Sequence, residues 1–258
     1  MAELEALLFD VDGTLADTER DGHRVAFNAA FDEVGLDWHW DEALYGKLLS
    51  VTGGKERIRH YLDVYNKEFE RPVDLDSFIA SLHQSKTGFY VGMLERGEIP
   101  MRNGVRRLLG EAQASGLRLA VVTTTTPENV TALLENGLGK GSEAMFEVIA
   151  AGDVVPAKKP APDIYLWAME QMNLRPDQCL ALEDSHNGLR SVLSAKICSV
   201  VVTVNGYTRD EDFTGASLVV DQFGEKADEC NKLAGEIEPV KIVDIDLLQR
   251  VHTMAWGD

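Results

Sequence analysis

The chain has 258 residues, of which 45% are hydrophobic, and it carries a formal net charge of −18. This length fits one large domain or two modest ones, and the apolar content allows a substantial core, which excludes an intrinsically disordered chain. The excess of acid argues against nucleic acid or an anionic membrane as a partner, because both would require a basic face.

The three cysteines are odd in number and form no Cys-x-x-Cys pair, which argues against a disulfide framework or a zinc site. The chain does not open with a basic segment and a long apolar run, and no stretch approaches the roughly 18 apolar residues of a membrane span. We therefore expect a soluble, cytoplasmic protein.

The predicted elements begin with a short buried strand at 4–9, followed by a region at 20–97 that shows helical periodicity and no comparable strand. From Pro100 onward, helices and strands alternate, which predicts an α/β fold with a Rossmann-like, doubly wound parallel sheet. We expect an α/β core at 1–18 and 98–258 and an inserted helical domain at 19–97. Further strands are predicted at 117–122, 146–150, 179–182 and 198–204, with an edge strand at 218–220 and a last helix at 244–255.

Two carboxylates follow the first predicted strand, in the segment Asp10-Val11-Asp12-Gly13-Thr14. In open α/β sheets, ligands bind beyond the carboxyl ends of the strands, and residues i and i+2 of an extended segment point the same way. Both carboxylates are therefore expected to face one crevice. An ordinary Asp-rich turn would produce the same local pattern, so the interpretation depends on the other strand ends.

Three further strand ends carry groups suited to phosphate and metal chemistry. The threonines at 123–126 precede a helix and could cradle an anion, although a simple helix cap would use the same residues. Lys158 and Lys159 precede a proline that stiffens the chain, and a lysine held in this way can neutralise phosphate. Glu183 and Asp184 add carboxylates that, with those of the first strand end, could hold a hard divalent cation.

In their order along the chain, these motifs resemble the four motifs of the haloacid dehalogenase superfamily. The helical insert stands where that superfamily places its type-one cap domain. Segments such as GGKERIRHY, AKKPAPDIY and NGYTRDEDF are similar to the CbbY branch. This resemblance implies a Mg²⁺-dependent phosphatase of xylulose 1,5-bisphosphate.

The resemblance also implies roles for individual residues. Asp10 would be the nucleophile and a metal ligand, and Asp12 the general acid and base, with its main-chain carbonyl on the metal. Asp184 would be a further ligand, with Glu183 as a ligand or as a partner of one. The residues implied to contact the substrate are Thr123 and Lys159 at the transferring phosphoryl group, together with Thr124, Glu19, Gly53, Gly54, Lys55, Arg57, His83 and Lys86.

A basic turn in the insert supports a second anion site. The stretch GGKERIRH places Lys55, Arg57 and Arg59 against a single acid, Glu56, in a chain that is otherwise strongly negative. Its two glycines could admit a phosphate to backbone N–H groups at a helix start. A basic surface turn without a ligand is the alternative interpretation.

Several functions stay open at this stage. A phosphomutase of the β-phosphoglucomutase kind would share the aspartyl-phosphate, and a phosphoglycolate phosphatase would share the core motifs. A non-catalytic protein that binds a sugar phosphate for regulation is a further alternative. For all of them we expect a monomer whose partner is a small phosphorylated sugar.

Overall fold

The computed structural model describes residues 3–51 and 53–257. The chain separates into two compact units. The sheet unit comprises the residues up to Asp17 and those from Pro100 onward, and the helical unit comprises Thr18–Ile99. The assignment of 1–18 and 98–258 to a core domain and of 19–97 to a helical cap domain remains a prediction.

The sheet unit is built on a seven-stranded sheet in the order β3-β2-β1-β4-β5-β6-β7. All pairs are parallel except the last, so the predicted α/β fold class is confirmed. The strands are β1 (Ala6–Phe9), β2 (Arg118–Val122), β3 (Val148–Ala150), β4 (Cys179–Glu183), β5 (Val200–Thr203), β6 (Leu218–Val220) and β7 (Lys232–Gly235).

The central strands are short apolar runs because helices cover both faces of the sheet. All four residues of β1 and all five of β4 are buried. The register pairs Phe9 with Val121 on one side and with Leu182 on the other. The carboxyl ends of the three central strands therefore lie level, which brings the side chains that follow them to one edge of the sheet.

The predicted edge position of the strand at 218–220 is wrong. β6 lies inside the sheet, because β7 pairs with it in the antiparallel direction. The segment that forms β7 has no alternation of apolar and polar residues, and three of its four residues are exposed. Its pairing is therefore a tertiary effect with no local signal in the sequence.

Five α-helices and two short 3₁₀ helices, at Ser142–Met145 and Pro176–Gln178, complete the described part of the sheet unit. α7 begins directly after Pro162, and α8 begins at an N-cap, Ser185, whose side chain accepts a hydrogen bond from the N–H of Gly188 at 3.2 Å. These starts follow strand ends, so the helix N-termini face the edge where ligands of such sheets bind. The helices are α5 (Val105–Ala114), α6 (Pro127–Gly137), α7 (Asp163–Met172), α8 (His186–Ser194) and α9 (Ile245–Ala255).

The helical unit contains a π-helical turn, Thr18–His23, and four α-helices. Its core is aromatic: Phe27 and Phe31 of α1 pack against Trp40, with ring centroids 4.7 and 4.9 Å apart. Aspartates cap two of the helices: the side chains of Asp41 and Asp74 each accept a hydrogen bond from the backbone N–H three residues later. The helices are α1 (Arg24–Glu33), α2 (Glu42–Leu48), α3 (Gly54–Val64) and α4 (Leu75–Glu95).

Among the described helices of both units, none combines the length and the apolar character that crossing a bilayer requires.

Candidate active site

The turn after β1 is fixed by a glycine. Gly13 has a φ of +88°, a left-handed conformation that other residues rarely adopt. A Cβ atom at this position would lie 2.0 Å from Oδ2 of Asp184. The turn therefore brings the backbone after Asp12 against the end of β4, and only glycine allows that approach.

Lys159 connects the ends of three strands. Its Nζ donates to Oδ1 of Asp10 at 2.7 Å, to Oε1 of Glu183 at 2.6 Å and to the carbonyl oxygen of Val122 at 2.8 Å. The side chains of Lys159, Asp10 and Glu183 are only 8%, 9% and 1% exposed. The lysine is thus a buried cation whose three donors are all used.

Three buried carboxylates meet at this edge. Ligand oxygens of Asp10, Glu183 and Asp184 all lie within 4.8 Å of one another. Oδ2 of Asp184 also accepts a hydrogen bond from Nδ2 of Asn205 at 2.7 Å. The structure therefore brings together three predicted acids, one from the first strand end and two from the fourth, and an amide that was not predicted.

The electrostatics show a surplus of negative charge. Burial raises the pKa of Asp10 to about 7, against the opposing effect of Lys159 and with further upward contributions from Glu183 and Asp12. Burial, followed by Asp10 and Glu183, also raises the pKa of Asp184 well above its ordinary value. Although burial lowers the pKa of Lys159, the two adjacent carboxylates raise it by more, so this side chain stays charged.

This donor set fits a hard divalent cation such as Mg²⁺. Carboxylate oxygens are the preferred ligands of that ion. Three acids face one lysine in this cluster, and burial, with repulsion between the acids, raises the pKa values of Asp10 and Asp184 against the effect of Lys159. In addition, Oε2 of Glu183 is buried without a hydrogen-bond partner among the described residues. A cation would neutralise this surplus, so the residues present fit the predicted metal.

Asp12 has a different environment from Asp10. Its side chain is half-buried and lies outside the three-carboxylate cluster, where the hydroxyl of Thr125 donates to its Oδ2. Thr123 is buried, and its Oγ1 accepts from the N–H of Thr125 at 3.3 Å, whereas Thr124 is exposed. The threonine run therefore supports Asp12 as well as forming the loop after β2.

In the helical unit, Arg57 lies in a buried polar cluster. Its Nη1 donates to the hydroxyl of Tyr45 at 2.8 Å, and that hydroxyl donates to Oε2 of Glu19. Oε2 of Glu19 is also 3.8 Å from Nη1 of Arg57. Nε of Arg57 has no hydrogen-bond partner within the described chain. Two of the predicted substrate residues, Glu19 and Arg57, thus belong to one network.

Lys86 and His83 lie on one helix, α4. Nζ of the buried Lys86 is 2.7 Å from Nδ1 of His23 and lies near the rings of Phe27 and Tyr90. Burial, with Lys86 and Lys55 next, lowers the pKa of the half-buried His83.

Of the predicted residues at the start of α3, Gly53 and Lys55 are exposed. A Cβ atom on Gly54 would lie 2.5 Å from Cδ2 of His83. The glycine therefore lets the start of α3 approach α4 within this unit.

Several described residues that contact predicted site residues were missed in the sequence analysis. Asn205 follows the carboxyl end of β5, so extending the strand-end argument to a fifth strand would have found it. The others have no such signal. Thr125 was predicted as part of an anion cradle or as a helix cap, and not as the partner of a carboxylate. Tyr45, His23 and Tyr165 occupy positions that look like ordinary helical packing.

Comparison with known proteins gives the family. Residues 4–196 match the haloacid dehalogenase-like hydrolases. The chain is 47% identical to the plasmid-encoded protein CbbY of Cupriavidus necator over 225 residues, which is 87% of this chain and 88% of that protein. The chain therefore belongs to the haloacid dehalogenase-like hydrolases and to their CbbY-like branch.

Solved structures of similar proteins agree with this assignment. A mutant of CbbY from Rhodobacter sphaeroides, crystallised with xylulose 1,5-bisphosphate, is 45% identical, with a TM-score of 0.70 over 85% of this chain and 94% of that one. A putative β-phosphoglucomutase from Thermotoga maritima is 26% identical, with a TM-score of 0.67 over 84% and 94%. The chain is therefore an enzyme, a phosphatase that acts on sugar phosphates. The alternative of a non-catalytic protein that binds a sugar phosphate is excluded.

Proposed function

We propose that this phosphatase removes one phosphoryl group from a sugar bisphosphate, most specifically xylulose 1,5-bisphosphate, through an aspartyl-phosphate on Asp10. The observation that carries the proposal is the cluster of Asp10, Lys159, Glu183 and Asp184, which joins a nucleophile, a fixed cation and a metal-binding set. The identity of the sugar rests on the similarity to the CbbY protein that was crystallised with that bisphosphate.

The first requirement is to bring an anionic phosphate to an anionic nucleophile. Lys159 is a buried ammonium 2.7 Å from Oδ1 of Asp10, and it would offset part of the charge of a phosphate dianion. Mg²⁺, when held by Asp10, Asp184 and Glu183, would supply the rest of the positive charge. We also assign the main-chain carbonyl of Asp12 to this ion and the hydroxyl of Thr123 to the phosphoryl group.

In the first step, a carboxylate oxygen of Asp10 attacks phosphorus in line with the ester bond. The new O–P bond forms as the bond to the sugar oxygen breaks, and the protonated Asp12 gives its proton to the leaving alkoxide. In the second step, Asp12 takes a proton from the water that attacks the aspartyl-phosphate. Inorganic phosphate leaves, and Asp10 returns as a carboxylate.

The two carboxyl groups can divide these roles because their surroundings differ. Asp10 lies in the buried cluster with Lys159. Asp12 is half-buried, and its carboxylate interacts with a neutral hydroxyl, that of Thr125. Since Asp12 is not among the three carboxylates of the metal-binding set, we assign it to proton transfer.

The second phosphate of the substrate is assigned to cationic residues of the helical unit. Arg57 is buried and has donor capacity at Nε, and Lys86 is a second buried cation. A phosphate would give both buried cations a strong anionic partner and would so offset the cost of burying their charge. In the substrate site we also retain Glu19, Gly53, Gly54, Lys55, His83 and Thr124 as predicted contacts.

The proposal is tested by measuring inorganic phosphate released from xylulose 1,5-bisphosphate, ribulose 1,5-bisphosphate, fructose 1,6-bisphosphate, phosphoglycolate and β-glucose 1-phosphate, with MgCl2 or with EDTA. We expect the highest kcat/KM for xylulose 1,5-bisphosphate and no turnover in EDTA. A preference for phosphoglycolate would overturn the substrate assignment, and conversion of β-glucose 1-phosphate to another sugar phosphate would favour the phosphomutase. Cytoplasmic location and a monomeric state remain predictions.

A further inference from the structure

A tyrosine that no step of the mechanism uses contacts the centre of the site. Tyr165 lies in the first turn of α7 and has no exposed surface. Its hydroxyl donates to Oε1 of Glu183, the oxygen that also accepts from Nζ of Lys159. Nζ of Lys159 lies 5.1 Å from the centre of the Tyr165 ring. The tyrosine therefore touches both Glu183 and Lys159.

We propose that Tyr165 is a positioning residue for phosphoryl transfer: its hydroxyl holds Glu183, and Glu183 in turn holds the ammonium of Lys159 against Asp10. This inference rests on the proposed function.

The alignment of Lys159 depends on where Glu183 stands. The ammonium has three donors, and they are directed to Asp10, Glu183 and the carbonyl of Val122. The carbonyl belongs to a strand and is fixed, but Glu183 has a side chain with rotatable bonds. If that side chain rotates, Lys159 loses one of its two anionic partners.

Tyr165 removes this freedom through its hydrogen bond to Oε1 of Glu183. Its backbone belongs to a helix packed in the core beneath the sheet, so its hydroxyl is a fixed donor. A hydrogen bond to a charged acceptor is stronger than one between neutral groups. Glu183 is thereby held between the ammonium of Lys159 and the hydroxyl of Tyr165, an arrangement that keeps catalytic groups within a fraction of an ångström of their positions.

A simpler interpretation is that a buried tyrosine merely needs an acceptor for its hydroxyl. The two interpretations differ in what removal of the hydroxyl does to kcat. A packing role would lower stability and leave the rate of the folded enzyme unchanged. A positioning role would lower kcat with little change in KM, because the misplaced group acts on the reaction and not on substrate capture.

The first experiment compares Tyr165→Phe with Ala168→Gly, a matched destabilising change at a buried position of the same helix. Turnover of p-nitrophenyl phosphate is measured with saturating MgCl2, well below the Tm of both variants. We expect kcat to fall about tenfold or more in Tyr165→Phe, with KM changed by less than about twofold, because small misplacements of catalytic groups are costly. Ala168→Gly should keep the kcat of the unmodified enzyme.

The second experiment needs no turnover. The Tm of the metal-free protein is measured in EDTA for Tyr165→Phe alone and combined with Glu183→Ala. We expect the Phe change to lower Tm by about 3–6 °C when Glu183 is present and by less than about 1 °C when it is not, since the lost bond is charge-assisted. If the protein with Glu183→Ala does not fold, Glu183→Gln is used instead. Tyr165→Phe should then lower Tm by less than half as much as it does when Glu183 is present.

An unchanged kcat in Tyr165→Phe, or equal losses of kcat in Tyr165→Phe and Ala168→Gly, would overturn the positioning role. Equal shifts of Tm in both backgrounds would overturn the contact with Glu183. Absence of turnover by the unmodified protein on every phosphate ester would instead overturn the proposed function. The comparison of Tm shifts with and without Glu183 would still show whether Tyr165 holds Glu183.

Discussion

Asp10 and Asp12 stand two residues apart, yet they occupy different environments. Asp10 is buried in a cluster with Lys159, Glu183 and Asp184, whereas Asp12 is half-buried and accepts from the hydroxyl of Thr125. A carboxylate held by a lysine within a metal-binding set suits nucleophilic attack, and a carboxylate outside that set suits proton transfer. In the proposed mechanism, the different roles of these two residues therefore follow from their positions rather than from their residue type.

This division predicts the behaviour of Asp12→Asn. p-Nitrophenolate leaves without needing a proton, so Asp10 should still be phosphorylated by p-nitrophenyl phosphate. The water that hydrolyses the intermediate would lack its base, so steady-state turnover should fall about 10²- to 10⁴-fold. Stopped-flow absorbance should therefore show one p-nitrophenolate released per enzyme molecule, followed by a slow phase.

The matched control for this experiment is Asp246→Asn, at an exposed position in the first turn of α9. It should retain full turnover without a burst. A slow, burst-free progress curve for Asp12→Asn would contradict the assignment of Asp12 to the second step.

His83 predicts a pH dependence of stability. Its pKa is lowered by burial and then by Lys86 and Lys55, against an upward effect of Glu56. The unfolded chain therefore binds the proton more tightly, and stability is lost as pH falls through about 6.5, the ordinary histidine value, toward the lower folded value. His83→Gln should reduce the loss of Tm between pH 7.5 and pH 5.5 relative to the unmodified protein.

The control is His39→Gln, at an exposed position of the helical unit. It should leave the loss of Tm between the two pH values as it is in the unmodified protein. An unchanged loss of Tm in His83→Gln would show that this histidine does not contribute to the pH dependence.

At the scale of elements, the site follows from three strands whose carboxyl ends lie level. The register of β1 with β2 and β4 aligns Phe9 with Val121 and Leu182. This alignment could be predicted from sequence, because each strand is a short apolar run that ends in polar residues. No site residue was predicted after the end of β5, and Asn205 was missed for that reason.

The start of α3 predicts selectivity for a bisphosphate. Arg57 is buried in the polar cluster with Tyr45 and Glu19, whereas Arg59 pairs with Asp76 at the surface. Arg57→Ala should lower kcat/KM for xylulose 1,5-bisphosphate by about 30- to 150-fold, the effect of losing charged hydrogen bonds of about 2–3 kcal/mol. Turnover of p-nitrophenyl phosphate, which has no second phosphate, should change by less than about threefold.

Arg59→Ala is the comparison variant, because it removes a neighbouring positive charge without touching the cluster. It should affect both substrates by less than about twofold. Equal losses on both substrates in Arg57→Ala would remove the proposed anchor for the second phosphate.

At the scale of the whole molecule, periodicity and strand-end motifs predicted the α/β class and the helical insert. They failed where long-range pairing decides the structure. β7 lies beyond the region of alternating strands and helices and pairs antiparallel with β6, which no local pattern indicated. Tyr165 was missed for a related reason, since a core position of α7 and a site contact look identical in sequence.

The surplus of buried negative charge predicts that metal stabilises the protein. Because Mg²⁺ would bind only the folded cluster, a concentration about 100 times Kd should add about 2.7 kcal/mol to the free energy of unfolding and raise Tm by roughly 5–10 °C. Differential scanning fluorimetry with MgCl2 and with EDTA measures this shift. Asp184→Asn should lose most of the shift, and a variant that keeps it would remove Asp184 from the metal site.

The central claim is that Asp10 carries the phosphoryl group between substrate and water. Its most direct test is peptide mass spectrometry of Asp12→Asn, quenched with acid during reaction with p-nitrophenyl phosphate and MgCl2. The account predicts one phosphoryl group on the peptide that contains Asp10, and none when Asp10→Asn is added. An unmodified Asp10 peptide during a p-nitrophenolate burst, or a phosphoryl group on another residue, would contradict it.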